Sequence, residues 1–420
     1  MTVSTTALNG AIQHQRYLIS APGKVIMFGE HAVVHQKLAV AASLGLRTYM
    51  YLERTNDGIC KVDLPDVGIQ RSWSFEDLLS APVAIDDSDD KHPINNMTPE
   101  TKERLVSLTG STEREAQNQA IMAFLYLFFT FAAKQKKEET FGFTIHTRSM
   151  LPVSAGLGSS ASYSSTIAAA LLILFDYIPF DFAQTKCPEK KAEYLELVNR
   201  YAFKSEQVIH GNPSGVDNAV TTFGGAKTFR RGQGFETLEG FQSLRLLLTN
   251  TRVPRSTSAL VAGVGAKKQR YPAIVNPILD AIDGISLRCK EAFKRHREKE
   301  IDSLELVAEL EDLVNMNHCL LHALGVSHAS LEQVRSATAE HGIVTKLTGA
   351  GGGGCALSII RDSVLPETIK AVTENLEAAG FDCYQTSLGG IGVSAVLLGE
   401  KEDENWMVST NRDTLEAYFQ

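Results

Sequence analysis

The stretch LPVSAGLGSSASYSSTIAAALLIL, Leu151 to Leu174, decides how the rest of the chain is read. FGFTIHTR, Phe141 to Arg148, leads into it with strand character. Gly156 and Gly158 follow, then Ser159 and Ser160, then a run of small and apolar residues with helical character. A glycine loop therefore opens onto a helix N-terminus. Glycine lets the backbone approach a ligand closely, and the free N–H groups of the first turn, with the helix dipole, favour an anion there. The spacing GLGSS matches neither GxxxxGK[ST] nor GxGxxG, so any lysine or metal ligand must come from elsewhere in the chain. A tight strand-to-helix turn with serine caps gives the same pattern, and both readings stay open on this stretch alone.

Three further segments carry side chains suited to phosphate chemistry. SAPGKVIMFGEH, Ser20 to His31, places Lys24 beside Pro-Gly at a bend between two strand pieces, Tyr17 to Ser20 and Val25 to Phe28. A lysine held that way is a positioned charge, although most lysines in loops are solvated. Glu30 and His31 follow Gly29 on the same segment. In the helix expected from Tyr194 to Ile209, the residues Leu195, Val198, Ala202, Glu206 and Ile209 fall on one apolar stripe. Glu206 thus faces inward near a helix C-terminus, where burial and dipole both disfavour its charge. A divalent cation with phosphate oxygens would compensate it; a carboxylate snorkelling at the stripe's edge is the plainer reading. HGNPSGVDNAV, His210 to Val220, fixes Asp217 behind a tight turn, as a candidate base for a hydroxyl or as an ordinary helix cap. LTGAGGGG, Leu347 to Gly354, has five glycines in six residues, which suits a backbone that hugs a ligand or another loop, or else a hinge.

The bounds set by composition are mild. At 420 residues the chain has room for two domains, with a boundary near the Gly232-Gln233-Gly234 break: 1–240 and 241–420. A formal net charge of −8 argues against nucleic acid. The six cysteines form no CxxC pair, so free thiols are expected. The N-terminus lacks an apolar signal region, and IMAFLYLFFTFAA, Ile121 to Ala133, is too short for a membrane span and reads as a buried helix. A cytoplasmic location is therefore expected, and the Glu-Ala-Tyr-Phe-Gln end carries no peroxisomal address. Along the chain we expect a flexible tail to about residue 15 and a hairpin of Leu46 to Glu53 with Ile59 to Leu64. A surface insertion is expected from Ala84 to Glu103, and a strand-like run ending at Gly224-Gly225.

Together these segments resemble the GHMP small-molecule kinases. The family's first motif stands as APGKVIMFGEHAVVH, its second as PVSAGLGSSAS and its third as KLTGAGGGGCA. HGNPSGVDNAV and TNTRVPRST (Thr249 to Thr257) are similar to the members that act on mevalonate, whereas a GEHTDY-type first motif is lacking. The resemblance runs from about Tyr17 to about Leu397. It implies an α+β, two-domain fold: an N-terminal α/β domain with a non-Walker phosphate loop and a C-terminal ferredoxin-like domain, the active site between them. It implies ATP, with Mg²⁺, phosphorylating the 5-hydroxyl of mevalonate, an early step of isoprenoid and sterol biosynthesis. By the resemblance Asp217 is the catalytic base and Lys24 its charge partner. Gly156, Leu157, Gly158 and Ser159 cradle the triphosphate, and Ser160 and Glu206 hold Mg²⁺. Glu30, His31, Thr257, Gly349, Ala350 and Gly351 lie near substrate and phosphates. It further implies a homodimer, with the apolar helices around Ile121 and Ile167 offering surface, and inhibition by a prenyl diphosphate at the ATP site. Val153-Ser154 and Ser162 depart from the common pattern without removing a functional group. A phosphomevalonate kinase, the related decarboxylase, or a nucleotide-binding sensor without catalysis are the alternatives; the first two need an added basic cluster, the third missing catalytic groups.

Overall fold

The computed structural model describes residues 15–81, 83, 85, 98–110, 112–133, 141–152, 155–241 and 243–419. The expected N-terminal tail and the Val153-Ser154 departure lie almost wholly outside these residues, as does most of the 84–103 segment. The strands are β1 (Arg16–Phe28), β2 (Ala39–Thr55), β3 (Ile59–Leu64), β4 (Ile69–Ser74), β5 (Gly142–Ser149), β6 (Ala226–Arg230), β7 (Gly234–Thr237), β8 (Leu244–Asn250), β9 (Val344–Leu347), β10 (Cys355–Ile359), β11 (Asp382–Leu388) and β12 (Ser394–Leu397). The helices are α1 (Phe75–Ser80), α2 (Pro99–Thr109), α3 (Glu115–Ala132), α4 (Ser159–Leu174), α5 (Pro188–His210), α6 (Val216–Phe223), α7 (Thr257–Arg270), α8 (Pro272–Arg297), α9 (Ser303–Ala323), α10 (Ala329–Ala339), α11 (Pro366–Ala378), α12 (Glu404–Ser409) and α13 (Arg412–Ala417).

The N-terminal sheet is built on the long β2, which pairs with β1, β5 and β6. Helices α3 and α4 are apolar nearly all round because both faces are covered: α3 packs on α2, α4 and α5, and α4 on β1 and β2. Ile121 and Ile167 are fully buried, so the apolar side chains around them are taken up by the core and are not the dimer surface expected there. In the C-terminal half the order β9-β10-β8-β11 is antiparallel throughout, the ferredoxin-like arrangement. The two sheets meet at one pairing, Leu388 with Leu44. The chain then returns: β12 pairs with β1, and α12 and α13 cover Leu18, Tyr49 and Tyr51, so the last segment belongs by its contacts to the N-terminal sheet. All six cysteines are free.

Four local expectations are corrected. Leu46 to Glu53 and Ile59 to Leu64 are strands but not a hairpin, because β5 enters between them, antiparallel to β2 and parallel to β3. The turn is closed by Asp57, whose Oδ1 accepts from Thr55 Oγ1 at 2.6 Å and from the Ile59 amide at 3.0 Å. Gly142, at the start of β5, fits against that turn: a Cβ there would collide with Asp57 Oδ1 and stand 2.7 Å from Ile59 N. The run before Gly224 is helix α6, not a strand; its β-branched residues are buried, and packing on α4 and α5 overrides their propensity. The piece of the 84–103 insertion from Pro99 onward is the start of α2, capped by Thr98 and with Pro at its first turn. APGK does not interrupt β1, which continues through a register shift between Pro22 and Lys24. Helix α7 was not expected at all, since Gly263 and Gly265 lower its propensity.

Gly142→Ala should cost about 1–3 kcal/mol, the usual range for overpacking, read as a shift in the urea midpoint. An unchanged midpoint would mean that the turn gives way without strain.

Candidate active site

The first glycine loop is fastened to β1. The Lys24 amide donates to Leu157 O at 2.8 Å, and the Lys24 stem runs under Gly158, where a Cβ would stand 2.6 Å from Lys24 Cγ. Gly156 and Gly158 have φ of 77° and 72°, the left-handed region that glycine adopts without strain. Gly158 is the N-cap of α4 and no side chain caps that end, so the serine-cap reading falls away. The first-turn amides from Ser159 and Ser160 are left to face an anion.

Lys24 is 7% exposed, and its Nζ stands 3.1 Å from Asp217 Oδ1. Asp217 lies in the first turn of α6, whose N-cap is Gly215 in the left-handed conformation. Helix N-terminus and lysine thus both attract the carboxylate. Glu206, in the last turn of α5, is 3% exposed. Its Oε1 accepts from Ser164 Oγ at 3.1 Å, and its Oε2 stands 3.4 Å from Ser160 Oγ. Burial, and then the nearby charge of Asp217, push its carboxyl up to about 7. Its ion-pair contact among the described residues is His210 Nε2 at 3.9 Å. A buried carboxylate bonded to the hydroxyl of Ser160, which lines the cleft, fits the oxygen set that Mg²⁺ takes.

The second glycine loop closes the cleft from the other half. Gly351 is pressed on Val326 O, Gly352 N donates to Val326 O at 2.7 Å, and Ala350 O accepts from His31 Nε2 at 2.8 Å. That bond puts the ring proton on Nε2 and leaves Nδ1 as an acceptor without a partner; burial lowers the ring's affinity for a second proton. Thr257 is the first residue of α7 and lines the cleft with Gly349 and Ala350. The cleft has a volume of about 760 Å³ and includes Lys24, Ser159, Ser160 and Asp217. Glu30 lines it too, but its carboxylate is committed to Lys346, fully buried, and to Asn317 Nδ2 at 2.9 Å. Those two bonds also hold the loop that carries His31 in place.

Two cleft residues had no role in the sequence reading. Arg255 bridges the two loops, donating to Ala155 O at 2.8 Å and to Thr348 O at 3.4 Å, with Gly156, Gly349 and Gly354 all packed on its guanidinium. His210 Nε2 stands 3.0 Å from Ser160 Oγ. Neither position carries a local signal, because the partner lies about a hundred residues away for Arg255 and fifty for His210.

Because the Glu206 carboxyl is raised in the folded chain, its ionisation opposes folding. The native state holds the proton longer, so stability falls as pH rises from about 4.5 through about 7. In EDTA, Glu206→Gln should therefore gain Tm relative to the parent as pH goes from 5 to 8; a pH-independent difference would remove the assignment. Arg255→Ala should lower kcat/KM by about 10²-fold through misplaced loops, measured alongside Tm to separate misplacement from unfolding.

Residues 118–225 match the GHMP kinases N terminal domain and residues 301–378 the GHMP kinases C terminal family. The mevalonate kinase of Homo sapiens is 43% identical over 380 residues, 90% of this chain and 94% of the relative. That of Candida albicans is 38% identical over 92% of this chain and 91% of its own. Among solved structures, L. major mevalonate kinase in complex with R-mevalonate matches with a TM-score of 0.62 and 25% identity, covering 88% of this chain and 95% of that one. With its motifs brought into one cleft and its length matched nearly end to end, the chain belongs to the mevalonate kinase family of the GHMP kinases.

Proposed function

We infer that this chain transfers the γ-phosphoryl group of ATP to the 5-hydroxyl of mevalonate, giving 5-phosphomevalonate and ADP. The observation that carries this reading is the buried Lys24 ammonium paired with Asp217 against the phosphate loop, in a cleft closed by a second glycine loop. The α4 N-terminus and the loop amides bind the phosphates. Asp217 accepts the hydrogen bond of the substrate hydroxyl and orients it. An alcohol is far less acidic than a carboxylic acid, so the proton passes to Asp217 late, as the bond to phosphorus forms in a loose transition state. Lys24 offsets negative charge on the transferring group. His31 forms part of the cleft wall. Ser160 and Glu206 would hold Mg²⁺, which supplies charge neutralisation for the phosphates when bound.

The same cleft joins an anion-binding end to apolar walls at Leu64, Val67, Ala120 and Ile209, which supports ATP-site inhibition by a prenyl diphosphate. A homodimer would use other surface than α3 and α4; the exposed Ile274, Leu287 and Met316 on α8 and α9 support such a contact. No described helix is long and apolar enough to cross a membrane, in keeping with a cytoplasmic site of action. A phosphorylated acceptor fits less well, because among the described cleft residues the one guanidinium, Arg255, is spent on two carbonyls.

A coupled ADP-release assay with MgATP and mevalonate, phosphomevalonate, galactose or homoserine tests this. Turnover is expected on mevalonate alone, and Asp217→Ala should lose at least about 10²-fold in kcat with little change in KM. Near-parental kcat in that variant would end the base assignment, and turnover on another acceptor the substrate assignment.

A further inference from the structure

Among the described residues two clusters outside the cleft have metal-ligating composition, and their hydrogen bonding separates them. In the first, His318, His322 and Glu332 gather where α9 meets α10. His318 Nδ1 accepts the Leu347 amide at 3.2 Å, so its Nε2 carries the proton and donates to Glu332 Oε1 at 2.9 Å. Ser327 donates to the same carboxylate oxygen. The His318 ring is satisfied at both nitrogens and has no lone pair to give.

The second cluster is different. Parallel pairing of β3 with β5 sets Asp63 directly beside His146, and the returning C-terminal segment lays Glu404, the first residue of α12, against the same spot. One ligand atom from each of the three lies within 4.8 Å of the others. His146 is only 4% exposed. Its Nδ1 stands 3.0 Å from Asp63 Oδ2, yet it makes no hydrogen bond, because the oxygen lies off the direction in which the ring nitrogen points. A buried ring nitrogen without a hydrogen bond is unfavourable, and a bound ion would relieve it. Two donors held at about 2.0–2.2 Å by one tetrahedral ion stand roughly 3.3 Å apart, close to the separation seen here.

We propose that His146 Nδ1, Asp63 and Glu404 form a binding site for a divalent transition cation of the Zn²⁺ class, which fastens the C-terminal helices to the N-terminal sheet. An imidazole with two carboxylates suits Zn²⁺ and not Mg²⁺, which takes oxygen. Asp63 and Glu404 are partly exposed, which leaves an entry path and a fourth position for water. The ion would act beside Arg148, which donates to Thr410 O, and beside the apolar contact of Met407 and Leu415 with Tyr49 and Tyr51. Leu64 and Thr147, next to Asp63 and His146 in the chain, line the cleft, but Asp63, His146 and Glu404 themselves do not, so loss of the ion should leave turnover intact.

The test uses the full chain stripped with EDTA and titrated with ZnCl₂, read by equilibrium dialysis with elemental analysis and by Tm. One Zn²⁺ per chain and a rise in Tm are expected. Glu404→Gln and Asp63→Asn should each weaken binding at least about 10-fold, with kinase activity and the Tm in EDTA unchanged for Glu404→Gln, whose side chain lies at the surface. Zn²⁺ bound equally by parent and both variants would place the ion elsewhere and overturn the proposal. No Zn²⁺ bound by the parent would overturn it as well.

Discussion

The backbone hydrogen bond from Lys24 to Leu157, with the lysine stem lying under Gly158, is the constraint on which the site depends. It joins a strand to a helix start that is 135 residues further along the chain, if Lys24 is counted to Ser159. Through it the first-turn amides of α4, the buried ammonium and the carboxylate it pairs with share one rigid reference. A Cβ at 158 would break that contact, and φ of 72° already excludes most other residues. The glycine is thus required twice, once by the backbone and once by its neighbour.

Helix α4 connects this point to the rest of the site through hydroxyls. Ser162 donates to Ala21 O at 2.8 Å, Ser164 meets Ser205 at 2.8 Å and Glu206 at 3.1 Å, and Ser165 meets Thr221 at 2.7 Å. These bonds tie α4 to β1, α5 and α6, which carry Lys24, Glu206 and Asp217 respectively. Small hydroxyl residues let the helices approach and satisfy one another's polar atoms in a dry interior. The departure at Ser162 is therefore absorbed by a hydrogen bond to strand β1 rather than by a void. The same interior is what makes the ionised Glu206 costly, so the group suited to a cation is also a local source of instability when no cation is bound.

The cleft is closed by contacts between halves of the chain. Glu30 pairs with Lys346, His31 bonds to Ala350 O, and Arg255 spans from Ala155 O to Thr348 O. The first of these is a fully buried ion pair; such pairs add little net stability but punish any arrangement that separates them, so they select one relative placement of the two glycine loops. Arg255 does the same with carbonyls, and its planar fork suits two acceptors at once.

The helices α3, α4, α5, α8 and α9, the strand β5 leading into the loop, and Lys24, Asp217 and Glu206 as separate candidates were legible in the chain, because amphipathic period, glycine placement and an inward carboxylate are local properties; that they share a site with Ser160 came from the family resemblance. What was not legible was long-range. Strand β5 slips between β2 and β3 because Gly142 fits a turn made over eighty residues earlier. The run before Gly224 is a helix because its neighbours bury it, and α3 and α4 are interior rather than available to a partner. Glu30 is held by Lys346, and Arg255 emerged as the bridge between loops. The amino-acid sequence by itself determined which residue types and which backbone freedoms the site has, since those are written within a few positions of each residue. Only the tertiary structure decided which of those side chains meet, since an ion pair or a bridging guanidinium depends on partners brought close by folding, and nothing local to either partner specifies the other.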